Sequence, residues 1–399
     1  MIVLFFYGIW VFLQIIIGDN LCLPVFLNLC YVLFRKADSA YQTKSNTVYD
    51  YAIILTAYEQ TDTIPAAIES ILKLKYNNYI VYIVADKCDV SRLKFDDDRI
   101  VILRPPEILQ SNTKSHFYAI NNFKRNHDLL IIIDADNLVD SECLNELNKW
   151  FNKGFAAVQG IRKAKNLNTN LACLDAARDI YYHFYDGEVL FRIGSSATLA
   201  GSGMAFKTSL YRECLEHQDI SGAGFDKVLQ KEIVSRGNRI AFTTEAIVYD
   251  EKTSGSEQLV KQRARWINTW FRYFKFGFSL VAMGIVKLDW NRLLFGIILL
   301  RPPLFIFLIL SVLFAVVDIW ICPVQSLIWL GGFACFVLGF IIALVHAKPD
   351  KAIWRSLAGI PKFIFFQILS LLKIRKANKI SVATRHSYTT TDKNRNQDT

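Results

Sequence analysis

Two acids separated by a single residue, Asp134 and Asp136, end the apolar run Leu129-Leu130-Ile131-Ile132-Ile133 in this 399-residue chain. In an extended chain residues i and i+2 face the same side, so both carboxylates present together. Like charges that close repel unless a cation sits beside them. Hard divalent ions take one or two carboxylates and complete their shell with phosphate oxygens and water. A plain turn, or a cap for the helix near Asp140-Ser141, would use the same residue types. The apolar strand in front favours the metal reading, because it delivers the pair to a sheet edge. Further along, Gln262-Arg263-Ala264-Arg265-Trp266 lies within the basic, aromatic stretch 257–278. Arginine presents paired N–H donors that match a diphosphate. The same stretch could rest on a membrane surface, with Lys261, Arg272 and Lys275 reaching headgroups. Asp226 opens a helical pattern over 227–240, where an acid suits a helix cap. Gly201-Ser202-Gly203 lacks the third glycine of a dinucleotide fingerprint and reads as a tight loop or a plain turn.

The elements that must position these residues are legible from periodicity. Runs at 51–58, 79–86, 99–103 and 128–136 are short, apolar and rich in Ile, Val and Tyr, which predicts buried strands. Between the first two, Ile64, Ala67, Ile68, Ile71 and Leu72 repeat at helical spacing, with Pro65 in the first turn. Strands alternating with helices predict an α/β domain around a mostly parallel sheet. Ligands of such sheets bind outside the carboxyl ends of the strands. Tyr58-Glu59, Asp86 and Asp134-Ala135-Asp136 end three of these runs, so one edge would collect them.

Bulk composition adds a membrane. The chain is 52% hydrophobic and 21% charged with net charge +10, too apolar for an ordinary soluble enzyme and too charged for a purely embedded protein. No two of the eight cysteines form a CxxC pair and the six histidines show no HxxxH, which disfavours a zinc site or disulfide framework. Met1–Ile17 is free of charge and lacks the basic start and cleavage site of a signal peptide. Residues 1–36 therefore read as an anchor of one span or a hairpin, broken at Gly18-Asp19-Asn20. Leu293–Ile321 and Ser326–Val345 are each long enough to cross a bilayer. Arg35-Lys36, Lys348, Lys351 and Arg355 flank these segments, and the loop 322–325 has no Lys or Arg. That asymmetry puts the central domain on the cytoplasmic side. The expected order is a domain over 50–255, an interfacial segment over 256–290, two spans over 291–346, an interfacial helix over 350–376 and a polar basic tail over 377–399. Spans expected to carry no mid-bilayer charge argue against a transporter. Basic residues set beside membrane segments argue against nucleic acid as a partner. Abundant Ile, Asn, Lys and Phe point to an AT-rich genome and a bacterial inner membrane.

An early Asp86, the Asp134-Ala135-Asp136 triplet, a later Asp226 and the box Gln262–Trp266, followed by spans, form an ordered set. In these the chain resembles the membrane-integrated family-2 glycosyltransferases, the cellulose, chitin, hyaluronan and poly-N-acetylglucosamine synthases and the ceramide glucosyltransferases. The likeness runs from about Tyr51 to the end. It implies a GT-A-type domain inserted between transmembrane helices, with inverting transfer of a hexosyl or N-acetylhexosaminyl group from a UDP-sugar to a glycan or lipid acceptor hydroxyl, as in polysaccharide synthesis. It implies Asp226 as base, and Asp136 with Asp134 holding Mg2+ or Mn2+. Tyr58, Glu59, Asp86, Lys114, Asp134, Arg263 and Arg265 would meet the donor, and Gly201, Ser202, Gly203, Gln262 and Trp266 the acceptor. One departure stands out. The family's Thr-Glu-Asp is Gly224-Phe225-Asp226 here, which keeps open a single-transfer glycolipid enzyme and an inactive nucleotide-sugar-binding protein beside the polymer synthase.

Overall fold

A computed structural model describes residues 2–220 and 222–373, so the expected tail over 377–399 lies outside the described residues. Eight strands form one mixed sheet: β1 Tyr51–Tyr58, β2 Tyr79–Asp86, β3 Ile100–Leu103, β4 Leu129–Asp134, β5 Leu138–Val139, β6 Ala157–Ala164, β7 Met204–Lys207 and β8 Ile240–Asp250. Their spatial order is β3-β2-β1-β4-β7-β6-β8-β5. The half built from the predicted runs is parallel, with Tyr51 opposite Tyr79 and Leu129. β7 enters antiparallel between β4 and β6, while β6 and β8 run parallel. β2 is buried along its whole length, as a strand covered by helices on both faces must be. The helix Ile64–Leu72 turns Ile64, Ala67, Ile68 and Ile71 onto the sheet.

This topology sets the functional edge. β1 and β4 run side by side, Thr56 opposite Asp134, so Tyr58 and Asp134 leave the sheet at the same end. β6 bulges between Gly160 and Ile161 to follow β8, where a Cβ on Gly160 would lie 2.4 Å from the Ala246 carbonyl oxygen. Arg162 and Asp250 thereby reach that edge.

Among the described residues, four helices are long and apolar enough to cross a membrane: Phe5–Phe34, Leu304–Ile321, Pro323–Ala347 and Lys351–Leu372. The first helix runs unbroken from Ile2 to Phe34, where a break at Gly18-Asp19-Asn20 was expected. Asn20 donates from its side chain to the Ile16 carbonyl at 2.7 Å, and the small face at Gly18 admits the Trp329 ring. Local polarity is satisfied inside the helix, so nothing forces a turn. The expected span over Leu293–Ile321 divides at Arg301-Pro302-Pro303 into Trp290–Leu300 and Leu304–Ile321. The first part joins Phe276–Val286 in a close hairpin: Cβ atoms on Gly284 and Gly296 would lie 2.5 Å and 2.7 Å from the partner's backbone nitrogens. Asn291 and Arg292 hold it to the catalytic unit, accepting from Ser196 at 2.8 Å and donating to the Ser235 carbonyl at 3.1 Å. Leu304–Ile321 also carries a carboxylate, Asp318, one turn from its end. It is fully buried and accepts from Trp10, Gln14 and Trp329 at 3.0, 3.1 and 3.0 Å. Three N–H donors offset the cost of removing that charge from water.

Candidate active site

One cavity of about 1010 Å³ opens along the carboxyl edge of the sheet. Tyr58, Asp134, Asp136, Gly201, Asp226, Gln262, Arg263, Arg265 and Trp266, from five separate stretches of chain, all line it. Glu59, Asp86, Lys114, Ser202 and Gly203 do not. Glu59 is half exposed and paired with Lys87 at 2.7 Å. Lys114 is exposed on the helix Asn112–Asn121. Asp86 is buried, and both its oxygens accept backbone N–H groups, from Leu109 at 3.0 Å and Gln110 at 2.7 Å. It thereby fixes the loop whose Gln110 side chain donates to the Tyr58 hydroxyl at 3.1 Å. Ser202 is fully buried, and its hydroxyl accepts from the Asp134 N–H at 3.1 Å. The Gly203 carbonyl accepts from the Gly160 N–H at 2.9 Å. The small-residue loop thus fastens β4 and presents Gly201 to the cavity.

The electrostatics at the strand end follow from crowding. Burial, and then the neighbouring Asp136, push the Asp134 carboxyl up to about 7, with Arg162 and Arg265 opposing. The two carboxylates resist joint ionisation without a cation. Among the described residues, no three His, Cys, Asp or Glu side chains converge on one metal position.

Asp226 is the second residue of the helix Phe225–Ser235, which Gly224 caps with φ +107°. Its carboxylate lies 3.4 Å from Lys227 Nζ. The departure from the family triplet has a packing cause. A Cβ at Gly224 would come within 2.6 Å of Tyr273 and 2.7 Å of Thr269, both on the box helix Ser256–Tyr273. Phe225 is 6% exposed, with its ring 5.0 Å from His116. All three positions line the cavity, and Asp226 alone of them carries a group that can take a proton.

The box helix buries Leu259, Val260, Ala264 and Ile267 and turns Gln262, Arg263, Arg265 and Trp266 to the cavity. Arg263 is 3% exposed, ion-paired to Asp175, and 4.1 Å from the Trp266 ring centroid. Arg178 lies 4.5 Å from the same ring and pairs with Asp179. Burial, with Arg178 close by, holds Arg263 down to about 10. Burial likewise lowers Arg265, while Asp134 opposes that shift. Sequence reasoning missed this network, which also contains Arg162, Asp250 and Lys252: Lys252 is paired to Asp179 and sits 2.7 Å from Asp250, and Arg162 sits 3.5 Å from Asp250. One signal was available. Asp175, Arg178 and Asp179 fall at i, i+3 and i+4 of the otherwise apolar helix Asn170–Tyr182, too much charge for a buried face without partners. Arg162 Nε, Arg263 Nε and Arg263 Nη1 are buried without a hydrogen-bond partner among the described residues, so the cavity wall retains N–H donors for an anionic ligand.

Known proteins bear on this geometry. The mannosyltransferase PcManGT from Pyrobaculum calidifontis, solved with GDP-Man and Mn2+, superposes with a TM-score of 0.56 at 12% identity, over 92% of this chain and 98% of its own. That likeness shows the fold, a Rossmann-like GT-A domain with flanking helices. TarS residues 1–349 from S. aureus, solved with UDP-GlcNAc, gives a TM-score of 0.38 at 12% identity, over 58% of this chain and 66% of that one. No curated protein matches the sequence. Residues 49–269 match the model of the family described as "Glycosyltransferase like family 2". Those residues make up more than half of the chain and contain the whole sheet and the box, so this protein belongs to the family-2 glycosyltransferases.

Proposed function

We propose that this protein is a membrane-integrated, inverting transferase that moves a sugar from a nucleotide-sugar, UDP-linked in our reading, to an acceptor hydroxyl on the cytoplasmic side of a bacterial inner membrane. The single observation that supports this best is the shared cavity of Asp134, Asp136, Asp226, Arg265 and Trp266. Asp226 takes the proton of the acceptor hydroxyl, help worth on the order of 10²–10⁴ in rate. The departing diphosphate develops charge that needs fixed positive partners. Arg265 supplies one, with the unpaired N–H groups of Arg263 behind it. Tyr58 meets the nucleoside, and Asp86 acts on it by holding the Gln110 loop. Glu59 and Lys114 stand at the outer rim on the donor side. Gln262, Trp266 and the loop Gly201-Ser202-Gly203 border the acceptor.

The residues at the end of β4 fit a hard divalent ion, Mg2+ or Mn2+. Two carboxylates come from one strand end, one raised by the other, and the remaining ligands would be phosphate oxygens and water. Asp136 and Asp134 would hold it, and when bound it supplies charge neutralisation on the diphosphate. PcManGT, solved with Mn2+, is consistent with this choice.

The test is nucleoside diphosphate release from membranes offered a panel of UDP- and GDP-sugars, with and without EDTA. Release with one donor, abolished by EDTA and restored by Mn2+ or Mg2+, is expected. No release with any donor from folded protein would refute the reading.

A further inference from the structure

The cavity does not end with the polar residues. Past Tyr182 and Trp266 it continues between Leu304–Ile321, Pro323–Ala347 and Ile360–Leu372, where Leu308, Phe333, Phe336, Val337, Phe363 and Ile364 line it. Among the described residues, no charged side chain lines that part, and Gln367 is its one polar side chain. Val337 and Ile341, also in the lining, are 53% and 41% exposed, so the fissure reaches the outer face of helices apolar enough to stand in a bilayer. A water-soluble glycan has little to hydrogen-bond there, and an apolar chain fits it.

The junction of the polar and apolar parts is marked by an ion pair, Asp186 with Arg301, 6% and 9% exposed. Both line the cavity, and the Arg301 guanidinium lies 5.6 Å from the Tyr182 ring centroid. Among the described residues, the pair leaves Asp186 Oδ1 and Arg301 Nη1 buried and unpartnered. Native proteins seldom leave such atoms unsatisfied, and each one calls for an explanation. One spare acceptor and one spare donor on a neutral pair suit a group that both donates and accepts, a hydroxyl or an amide. A phosphate dianion cannot donate and would lie against a carboxylate. Asp186, Arg301 and the proposed base Asp226 line the same cavity.

We propose, on the footing of the transferase reading above, that the acceptor is a membrane lipid with an uncharged head. Its tail occupies the fissure, and a hydroxyl or amide at its neck bridges Asp186 Oδ1 and Arg301 Nη1. The head hydroxyl then faces Asp226. Its oxygen forms the bond to the anomeric carbon as the bond to the diphosphate oxygen breaks. The proton passes to Asp226, and the nucleoside diphosphate leaves with the electron pair. Asp186 and Arg301 are positioning residues.

The test uses the full chain in phosphatidylcholine nanodiscs with a radiolabelled donor that it turns over. The discs carry dioleoylglycerol, ceramide or a polyprenyl phosphate. Label is expected in the organic phase with ceramide, whose neck carries an amide and a hydroxyl, and more weakly with dioleoylglycerol, whose neck esters accept but cannot donate. Leu308→Trp and Ile364→Trp, which narrow the fissure from two different helices, should each lower the ratio of labelled lipid to released nucleoside diphosphate at least tenfold. Asp186→Asn should raise KM for the lipid while sparing kcat. Label that stays in water with all three lipids, preference for the polyprenyl phosphate, or an unchanged ratio in both tryptophan variants would overturn the lipid proposal while leaving the transferase reading standing. Absence of nucleoside diphosphate release would overturn that reading and this inference together.

Discussion

Gly224→Ala is the substitution most diagnostic of how Asp226 is placed. Two independent penalties meet at one methyl group. The residue's φ is +107°, and a left-handed backbone costs an L-residue about 1–2 kcal/mol. The new Cβ would lie 2.6 Å from Tyr273 Cε2 and 2.7 Å from Thr269 Cγ2, and overpacking of this kind costs about 1–3 kcal/mol. The structure can absorb the roughly 2–5 kcal/mol sum of those two terms by losing stability or by moving the loop off the box helix. In the second case Asp226, two residues away, moves with it, and a displacement near 1 Å costs about 10²-fold in rate. The assay is kcat for sugar transfer together with the unfolding midpoint, each measured for Gly224→Ala and for Gly224→Ala with Thr269→Ser. The serine deletes Cγ2 and keeps the hydroxyl that donates to the Arg265 carbonyl at 2.9 Å. It relieves one of the two contacts and none of the backbone strain, so recovery should be partial. Wild-type kcat and midpoint in the single variant would refute the reasoning, and full rescue by the serine would refute the backbone part.

Other substitutions separate the remaining roles. Asp226→Asn should keep donor binding, read by calorimetry, while transfer falls by about 10²–10⁴; Asp136→Ala should lose the dependence of donor binding on Mn2+. Equal loss of donor binding in both would contradict the division of labour. Arg263→Ala leaves Asp175 buried beside one fewer cation, and breaking such a pair costs about 3–5 kcal/mol, so the unfolding midpoint should drop sharply; Arg263→Lys should recover only part, because lysine lacks the planar face that lies on Trp266. His116 is held down to about 3 by burial, with its Nδ1 2.8 Å from the Tyr211 hydroxyl. Below 6.5 the unfolded chain takes a proton that the folded one refuses, so stability is present above that pH and is lost as pH falls toward about 3, at up to about 1.4 kcal/mol per pH unit. His116→Gln should flatten the fall in unfolding midpoint between pH 7 and pH 5, and an unchanged slope would count against a neutral buried imidazole. His183, held down to about 3 in the same way, should contribute a second, separate slope.

Much of the fold was legible because β1, β2, β4 and the helix Ile64–Leu72 are coded by local periodicity, and a parallel arrangement follows from their alternation with helices. The antiparallel entry of β7 was not legible, since four residues carry no direction. The length of the candidate spans was overread at Leu293. Hydropathy records that 293–300 is apolar but not that glycines at 277, 284 and 296 let it close on a neighbouring helix and stay with the catalytic unit. For the site, motif spacing pointed to Asp134, Asp136, Asp226, Arg265 and Trp266, and one cavity holds all five. The ion network behind them left only the trace of Asp175, Arg178 and Asp179 on one apolar helix; Arg162, Asp250 and Lys252 are ordinary charged residues until the chain has folded them against one another.

The order of residues carried the chemical groups and the local geometry that short-range forces dictate: which runs are strands, where two acids end one of them, and which stretches are apolar enough to enter a bilayer. Packing carried the rest, namely where buried charge is satisfied and where it is not. Side chains distant along the chain share a dielectric and hydrogen-bond partners only after packing, so the spare oxygen of Asp186 beside the spare nitrogen of Arg301 has no signature in the order of residues.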